Sequence, residues 1–281
     1  METDISIDRL TLVGYDTGMI ESYLKYSEYI SFIGFSRNYG FRHSYQGLKG
    51  ELLEIGEKGK IRLDFNPNNA NMQQVKDIVS RLKYPYLTRL DVAVDYFDID
   101  LSEVEWTSNK RRKRNLWLNQ EGQQETLYIG APSSEKRYRI YNKRLERLEK
   151  EEEIDPRAVN GHWRVEVQQR FKESNNILDP VDYFAGDLFD IKPYRKVVDL
   201  DHIEKPMERL IVAGLIERPH EMLNLSKNAR TKYKGLIKEA RERSGVAINP
   251  EPIEVYTQKK SLLAGQLTDL FAHCARTVAQ V

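Results

Sequence analysis

The sequence predicts an α+β fold whose core is an antiparallel β-sheet of two related β-rich units, with helices packed on one side and a helical C-terminal region. Three observations predict it. Residues 89–95, Arg-Leu-Asp-Val-Ala-Val-Asp, alternate strictly, so Leu90, Val92 and Val94 enter a core while Arg89, Asp91 and Asp95 face away from it. Residues 162–168, His-Trp-Arg-Val-Glu-Val-Gln, repeat the pattern, with Trp163, Val165 and Val167 inward and His162, Arg164, Glu166 and Gln168 opposite. Beyond about residue 200 the period changes, and apolar side chains recur every three or four positions, as on a half-buried helix.

The elements follow in order. Residues 5–13 alternate as a first strand, and 17–26 read as a short helix with Thr17 as its N-cap. Residues 39–46 and 51–65 read as strands joined near Leu48-Lys49-Gly50, the second folded into a hairpin at Gly56-Glu57-Lys58-Gly59. After the turn cluster Asn66-Pro67-Asn68-Asn69, residues 72–83 carry Met72, Val75, Ile78, Val79 and Leu82 at helical spacing, and strand 87–95 follows. A second β-rich half begins after Asp100, with strand segments at 116–118, 126–129, 136–143 and 162–168 separated by turns rich in Gly, Pro and Ser. Residues 145–153 are dense in Glu, Lys and Arg, an exposed helix ended by Asp155-Pro156. Helices are expected at 203–213, 219–225 and 226–242, the last capped by Ser226 with Tyr233, Leu236, Ile237 and Ala240 as its buried stripe, and a final one at 262–279 for self-association. The expected division is thus a unit of residues 1–200, in halves of about 1–100 and 101–200, and a helical region of residues 201–281 for DNA binding or dimerisation.

With 281 residues the chain is long enough to bury an independent core. Forty-four Lys and Arg stand against 43 Asp and Glu, a net charge of +1, so affinity for a polyanion has to come from local patches. Two such patches stand out. Lys110, Arg111, Arg112, Lys113 and Arg114 are consecutive and read as a phosphate-contacting loop, and the 226–242 helix carries Lys227, Arg230, Lys232 and Lys234 with few acids. The single cysteine, Cys274, excludes a disulfide within the chain and points to a reducing, cytoplasmic setting. No apolar run approaches the roughly 20 residues of a membrane-spanning helix, and the N-terminus has no signal-peptide pattern.

Residues 136–143, Lys-Arg-Tyr-Arg-Ile-Tyr-Asn-Lys, carry the chemistry. On a strand, Arg137, Arg139, Tyr141 and Lys143 share one side, and Tyr138 and Ile140 the other. Tyr141 then sits in positive potential, which lowers the cost of a phenolate whose free pKa is about 10. The same spacing equally describes a packed strand with basic residues for solubility. If the strands of Asp91 and Glu166 are neighbours, those carboxylates suit a hard divalent cation, Mg²⁺ or Mn²⁺. His162 is read either as completing that site or as a structural partner beside Trp163.

The ordered set Arg-Leu-Asp-Val-Ala-Val-Asp (89–95), Leu-Tyr-Ile-Gly-Ala-Pro-Ser-Ser (127–134), Arg-Ile-Tyr-Asn-Lys-Arg-Leu-Glu (139–146) and Trp-Arg-Val-Glu-Val-Gln (163–168) resembles the Rep_trans initiators of plasmid rolling-circle replication, a family that also includes nickases of some integrative conjugative elements. The resemblance spans roughly residues 5–200. It implies a metal-dependent DNA nickase and strand transferase whose tyrosine joins a 5′-phosphate at the double-strand origin and frees a 3′-OH primer. Carried onto this chain, the nucleophile matches Tyr141 and the metal ligands match Asp91 and Glu166, with Asp95 as an addition; in such a reaction Arg139 and Lys143 would stabilise charge on the phosphate, and His162 would complete the metal site or protonate the departing 3′ oxygen. It also implies a homodimer, a host 3′–5′ helicase as partner, and origin duplex and nicked single strand as ligands. The widespread His-hydrophobic-His nickase triplet is absent among the five histidines, which favours carboxylate ligation. A conjugative nickase, and a DNA-binding regulator of the same fold without catalysis, remain alternatives.

Overall fold

The computed structural model describes residues 2–108, 110, 112–172, 180–184, 186–195, 199–244 and 248–272. Arg111, Cys274 and the end of the expected final helix, 273–279, lie outside them. In chain order the elements are β1 (Glu2–Asp16), α1 (Ile20–Tyr26), β2 (Ile30–Phe35), β3 (Phe41–Gly47), β4 (Leu52–Gly56), β5 (Lys60–Phe65), α2 (Met72–Val79), β6 (Leu82–Phe97), β7 (Val104–Ser108), β8 (Arg114–Leu118), β9 (Gln124–Ile129), β10 (Lys136–Asn142), α3 (Lys143–Glu149), β11 (His162–Arg170), β12 (Ile191–Arg195), α4 (Pro206–Glu217), α5 (Lys227–Arg243) and α6 (Pro252–Phe271). They fall into two compact units, one of Met1–Asp100, Arg112–Phe189 and Pro252–Val281, the other of Leu101–Arg111 and Asp190–Glu251. Where a single boundary near residue 200 is expected, α6 belongs with the strands, and β7 leaves them.

The first unit is built on one antiparallel sheet of ten strands in the order β2-β3-β4-β5-β1-β6-β11-β10-β9-β8. The two β-rich halves meet edge to edge where β11 pairs with β6, Val165 opposite Val94 and Val167 opposite Val92. Alternation then does what it must in a sheet covered on one side. Leu12, Leu63, Val92, Val94, Ile140, Tyr138, Trp163 and Val165 are all buried. The helices supply the matching apolar stripes: Val75, Ile78 and Val79 from α2, and Leu263 and Leu267 from α6. The Tyr138 hydroxyl donates to the Leu188 carbonyl at 2.9 Å, which satisfies the one polar atom its ring carries inward. Gly161 is required by packing, because a Cβ there would stand 2.2 Å from the Ile99 carbonyl oxygen just before β11 begins.

Several boundaries differ from expectation for local reasons. Helix α1 begins at Ile20 with Met19, not Thr17, at its N-cap position, and the Asp16 carboxylate fixes the turn that leads into it, accepting from the amides of Gly18, Met19 and Ile20 at 2.9, 3.0 and 3.1 Å. Asn71 caps α2, accepting from the Gln74 amide at 3.3 Å, and the helix stops at Val79 so that Leu82 opens β6 instead of closing the helix. Strand β2 is unforeseen because it is a sheet edge, where Phe32, Ile33 and Phe35 stay exposed and no inward alternation develops. Helix α6 starts at Pro252, ten residues before its expected first turn, with proline in the first turn where its missing N–H costs nothing.

In the second unit β7 and β12 form a two-stranded antiparallel sheet that buries Trp106, and neither strand is foreseen. Helix α4, a short 3₁₀ turn at Pro219–Asn224 and α5 follow, with Val212, Leu215 and Ala240 buried. Ser226 caps α5 as expected, accepting from the Ala229 amide at 3.3 Å. No helix among the described residues is long and apolar enough to cross a membrane.

Candidate active site

The polar face of the ten-stranded sheet brings residues from distant segments into cross-strand rows. Reading across β6, β11, β10 and β9, one row is Asp95, Arg164, Tyr141 and Thr126, and the next is Ala93, Glu166, Arg139 and Tyr128. A third runs from Arg9 on β1 through Asp91 and Gln168 to Arg137. Asp91 and Glu166 therefore do lie on neighbouring strands, and Arg137, Arg139 and Tyr141 share their face. The second and third rows border a polar cleft of about 260 Å³, whose lining includes Asp8, Asp91, Glu166, Arg137, Arg139 and Gln168.

Within the cleft, Asp91 is 1% exposed and held by Arg89, whose Nε donates at 2.8 Å and whose Nη2 closes the fork. Burial still leaves the Asp91 carboxyl above its usual range, with Asp8 adding to the rise. Glu166 is pushed up to about 7 by burial, and by the nearby charges of Asp8 and Asp91. Asp8 is a cleft residue that the sequence pattern does not single out. It enters the cleft because β1 carries a bulge between Ile7 and Arg9 where it pairs with β6. Carboxylates that raise one another are a donor set suited to a hard cation, although Asp91 is engaged by Arg89 and, among the described residues, no three or more His, Cys, Asp or Glu side chains group closely enough to form a metal cage.

Asp95 and His162 are drawn elsewhere. Asp95 Oδ1 meets His162 Nε2 at 2.7 Å and Arg164 Nε at 2.8 Å, and its other oxygen accepts from Arg164 Nη2 at 2.9 Å. Arg164 reaches on to Asp8 at 2.6 Å. Both Asp95 oxygens are thus spent on a buried ion-pair network, about four strand residues or roughly 13 Å along β6 from Asp91. As placed, Asp95 and His162 frame the sheet and do not join Asp91 and Glu166.

Tyr141 is only 2% exposed. Arg139 stacks on its ring, 3.7 Å from the centroid, and Lys143 lies 5.7 Å away. The expected easing of its ionisation is not met in this state. Burial raises the phenol above 10, Glu166 and Glu146 raise it further, and Arg164 and Arg139 only partly offset them. Glu146, one turn into α3, explains why the cations help so little. Its carboxylate accepts from Lys143 at 2.5 Å, Lys150 at 3.2 Å and Arg139 at 3.3 Å, which hold it at about 2 against the upward push of burial. Tyr128, paired opposite Arg139 and covered by Arg137 at 4.0 Å, shares the cationic face with Tyr141, while Tyr138 is in the core.

The basic patches are placed separately. Lys110, Lys113 and Arg114 are exposed and Arg112 is half-buried with its guanidinium 5.4 Å from the Tyr138 ring. On α5, Lys227, Lys232 and Lys234 are exposed and Arg230 is half-buried, but Lys232 is paired to Glu208 at 2.6 Å.

Glu166 carries a pH signature in the metal-free protein. Its folded value of about 7 lies above the ordinary 4.5, so its contribution is complete below about pH 4.5 and is lost as pH rises through 7. Glu166→Gln, which stays neutral, is expected to melt like wild type at pH 5 and to be more stable by on the order of 1 kcal/mol at pH 8, discounted because the side chain is partly exposed. Equal melting temperatures at pH 8 would show that the carboxylate is not charged against its will.

No protein-family model matches the chain. Among curated proteins it is similar to replication initiation proteins of Staphylococcus aureus, at 34% identity over 191 residues for one and 31% over 191 for another, in each case 65% of this chain and 56% of the relative. The chain thus spans about half the length of the curated relatives it matches. A solved structure of a rolling-circle replication initiator protein from Geobacillus stearothermophilus aligns at 18% identity with a TM-score of 0.43, covering 88% of this chain and 100% of that one. The sequence relatives are therefore replication initiators, the class of protein that the ordered strand motifs resemble.

Proposed function

We propose that this chain initiates rolling-circle replication of a plasmid by nicking origin DNA in a cytoplasmic setting, with Tyr141 as nucleophile. The observation that carries this reading is that Tyr141, Arg139, Asp91 and Glu166, from three sequence segments, share one polar sheet face, with Arg139 both stacked on the Tyr141 ring and paired opposite Glu166. The Tyr141 oxygen forms a bond to the scissile phosphorus as the bond to the 3′ oxygen breaks. The phenolic proton leaves to solvent, and the departing oxygen takes one up. The product is a 5′-phosphotyrosine and a free 3′-OH. Arg139 and Lys143 stabilise the extra negative charge once the phosphate takes the place that Glu146 holds against them. Asp91 and Glu166, with Asp8 beside them, would hold Mg²⁺ or Mn²⁺, which when bound supplies Lewis-acid polarisation of a phosphate oxygen. Asp95, Arg164 and His162 hold β6 and β11 in register beneath these groups.

The exposed cations Lys110, Lys113, Lys227 and Lys234, with Arg111, Arg112, Arg114 and Arg230, supply phosphate contacts. Dimerisation and a 3′–5′ helicase partner belong to the same reading. Lys232 is the weakest contributor, because Glu208 already neutralises it. Lys227→Ala is expected to weaken duplex binding and lower the salt slope by about 1, and Lys232→Ala to change both by much less. Anisotropy titrations over a salt series measure the difference, and equal effects would remove Glu208 from the account.

Incubation with single-stranded origin DNA and Mg²⁺ or Mn²⁺, followed by denaturing electrophoresis and mass spectrometry, tests the whole. The expected result is an SDS-resistant adduct on the peptide containing Tyr141. An adduct on Tyr128 would reassign the nucleophile, and duplex binding without any adduct would leave a non-catalytic regulator.

A further inference from the structure

We infer that Gln168 and Arg137 form a second phosphate subsite in the cleft, one that binds the phosphodiester next to the one attacked; this rests on the nickase reading above. Gln168 is 7% exposed, and its Nε2 is buried in the cleft wall without a hydrogen-bond partner. It stands directly across from Arg137 on β10. The Nε of Arg137 is likewise buried and unpartnered. The other cleft arginines are ion-paired, Arg9 to Asp64, Arg89 to Asp91 and Arg139, whose Nε is also open, to Glu146 through Nη2, whereas Arg137 makes no ion pair among the described residues. It is instead braced flat over the Tyr128 ring at 4.0 Å.

Buried donors are almost always satisfied, so two left open side by side in a cleft call for an acceptor from outside. The open atom on each is a donor, and four arginines face three carboxylates in the lining, which selects an anionic oxygen ligand. At about 260 Å³ the cleft holds a phosphate group with several waters, each needing roughly 30 Å³. The position fits an adjoining phosphate. Arg137 lies two residues from Arg139 along β10, roughly 7 Å, a step comparable with that between successive phosphates of an extended strand.

The test uses single-stranded origin oligonucleotides in which one phosphodiester at a time is replaced by an uncharged methylphosphonate, with binding read by anisotropy and adduct by electrophoresis. For wild type, one flanking replacement is expected to weaken binding about tenfold, the loss of one charge-assisted contact. In Arg137→Ala and Gln168→Leu that oligonucleotide should bind within about twofold of the unmodified one, while Arg137→Lys keeps most of the sensitivity. Thermal melting shows whether each variant is folded, and Gln168→Leu carries the comparison if Arg137→Ala is not. Unchanged sensitivity in both Arg137→Ala and Gln168→Leu, or none at any flanking position in wild type, overturns the subsite. Sensitive binding with no adduct from wild type would instead fail the nickase reading and leave the subsite standing.

Discussion

Tyr141→Phe is expected to abolish covalent adduct formation with single-stranded origin DNA and nicking of supercoiled origin plasmid, a fall of several orders of magnitude, while duplex binding stays nearly intact. The substitution removes one oxygen from a residue whose ring is already packed under Arg139, so the fold has little reason to change. The size of the effect rests on neither other tyrosine taking over. Tyr138 is buried on the opposite face and bonded to the Leu188 carbonyl, and Tyr128, which shares the cationic face, stands on the next strand opposite Arg139, so adduct remaining in this variant would mark Tyr128 as the nucleophile. The burial of Tyr141 adds a second expectation. In the free protein the phenol is raised above its ordinary value, so attack requires the DNA phosphate to draw Arg139 and Lys143 away from Glu146. Glu146→Gln should therefore strengthen single-strand binding, whereas weaker binding would mean that Glu146 holds the two cations in their working positions.

Arg164→Met is expected to cost about 3–5 kcal/mol in urea unfolding, among the largest effects available without cutting into the apolar core. Arg164 donates to both Asp95 and Asp8, and its loss strands two carboxylates, one of them 6% exposed. Asp95 is pushed up by burial, but the His162 hydrogen bond and Arg164 outweigh that and hold it below its ordinary range. A carboxylate lowered in the folded state contributes in full above the unfolded value of about 3.9 and loses the contribution as pH falls through the folded one. The difference between wild type and variant should thus be steady from pH 5 to 8 and shrink on acidification below about pH 4. Pairing the change with Asp95→Asn should recover part of the loss, since the stranded charge is then gone. A single-variant cost under about 1 kcal/mol would mean that the network is solvated in practice.

How much of this was legible depends on the kind of physics involved. Alternation in 89–95 and 162–168 declares which side chains are inward, and the burial of Leu90, Val92, Val94, Trp163, Val165 and Val167 follows from it. The α5 cap at Ser226 was equally local, a hydroxyl three residues from the amide it serves. The bulge that admits Asp8 also left a trace: inward residues run Ile5, Ile7 and then Leu10, Leu12, a change of phase that a regular strand does not make. Edge strand β2 left none, because an exposed edge needs no apolar alternation, and in β7 and β12 the alternation runs over only two inward residues each, Val104 and Trp106, and Ile191 and Pro193.

By itself, then, the sequence determined the periodic elements, the faces their side chains occupy and the likeness to replication initiators, all of which are set by neighbours within a few residues. Only the tertiary structure decided the partners. That Asp95 and His162 satisfy each other, and that Gln168 and Arg137 stay open, depends on the register of β6, β11 and β10. The physical reason is range: a hydrogen bond or an ion pair acts over about 3 Å, and strands far apart in sequence come that close only through pairing across the sheet.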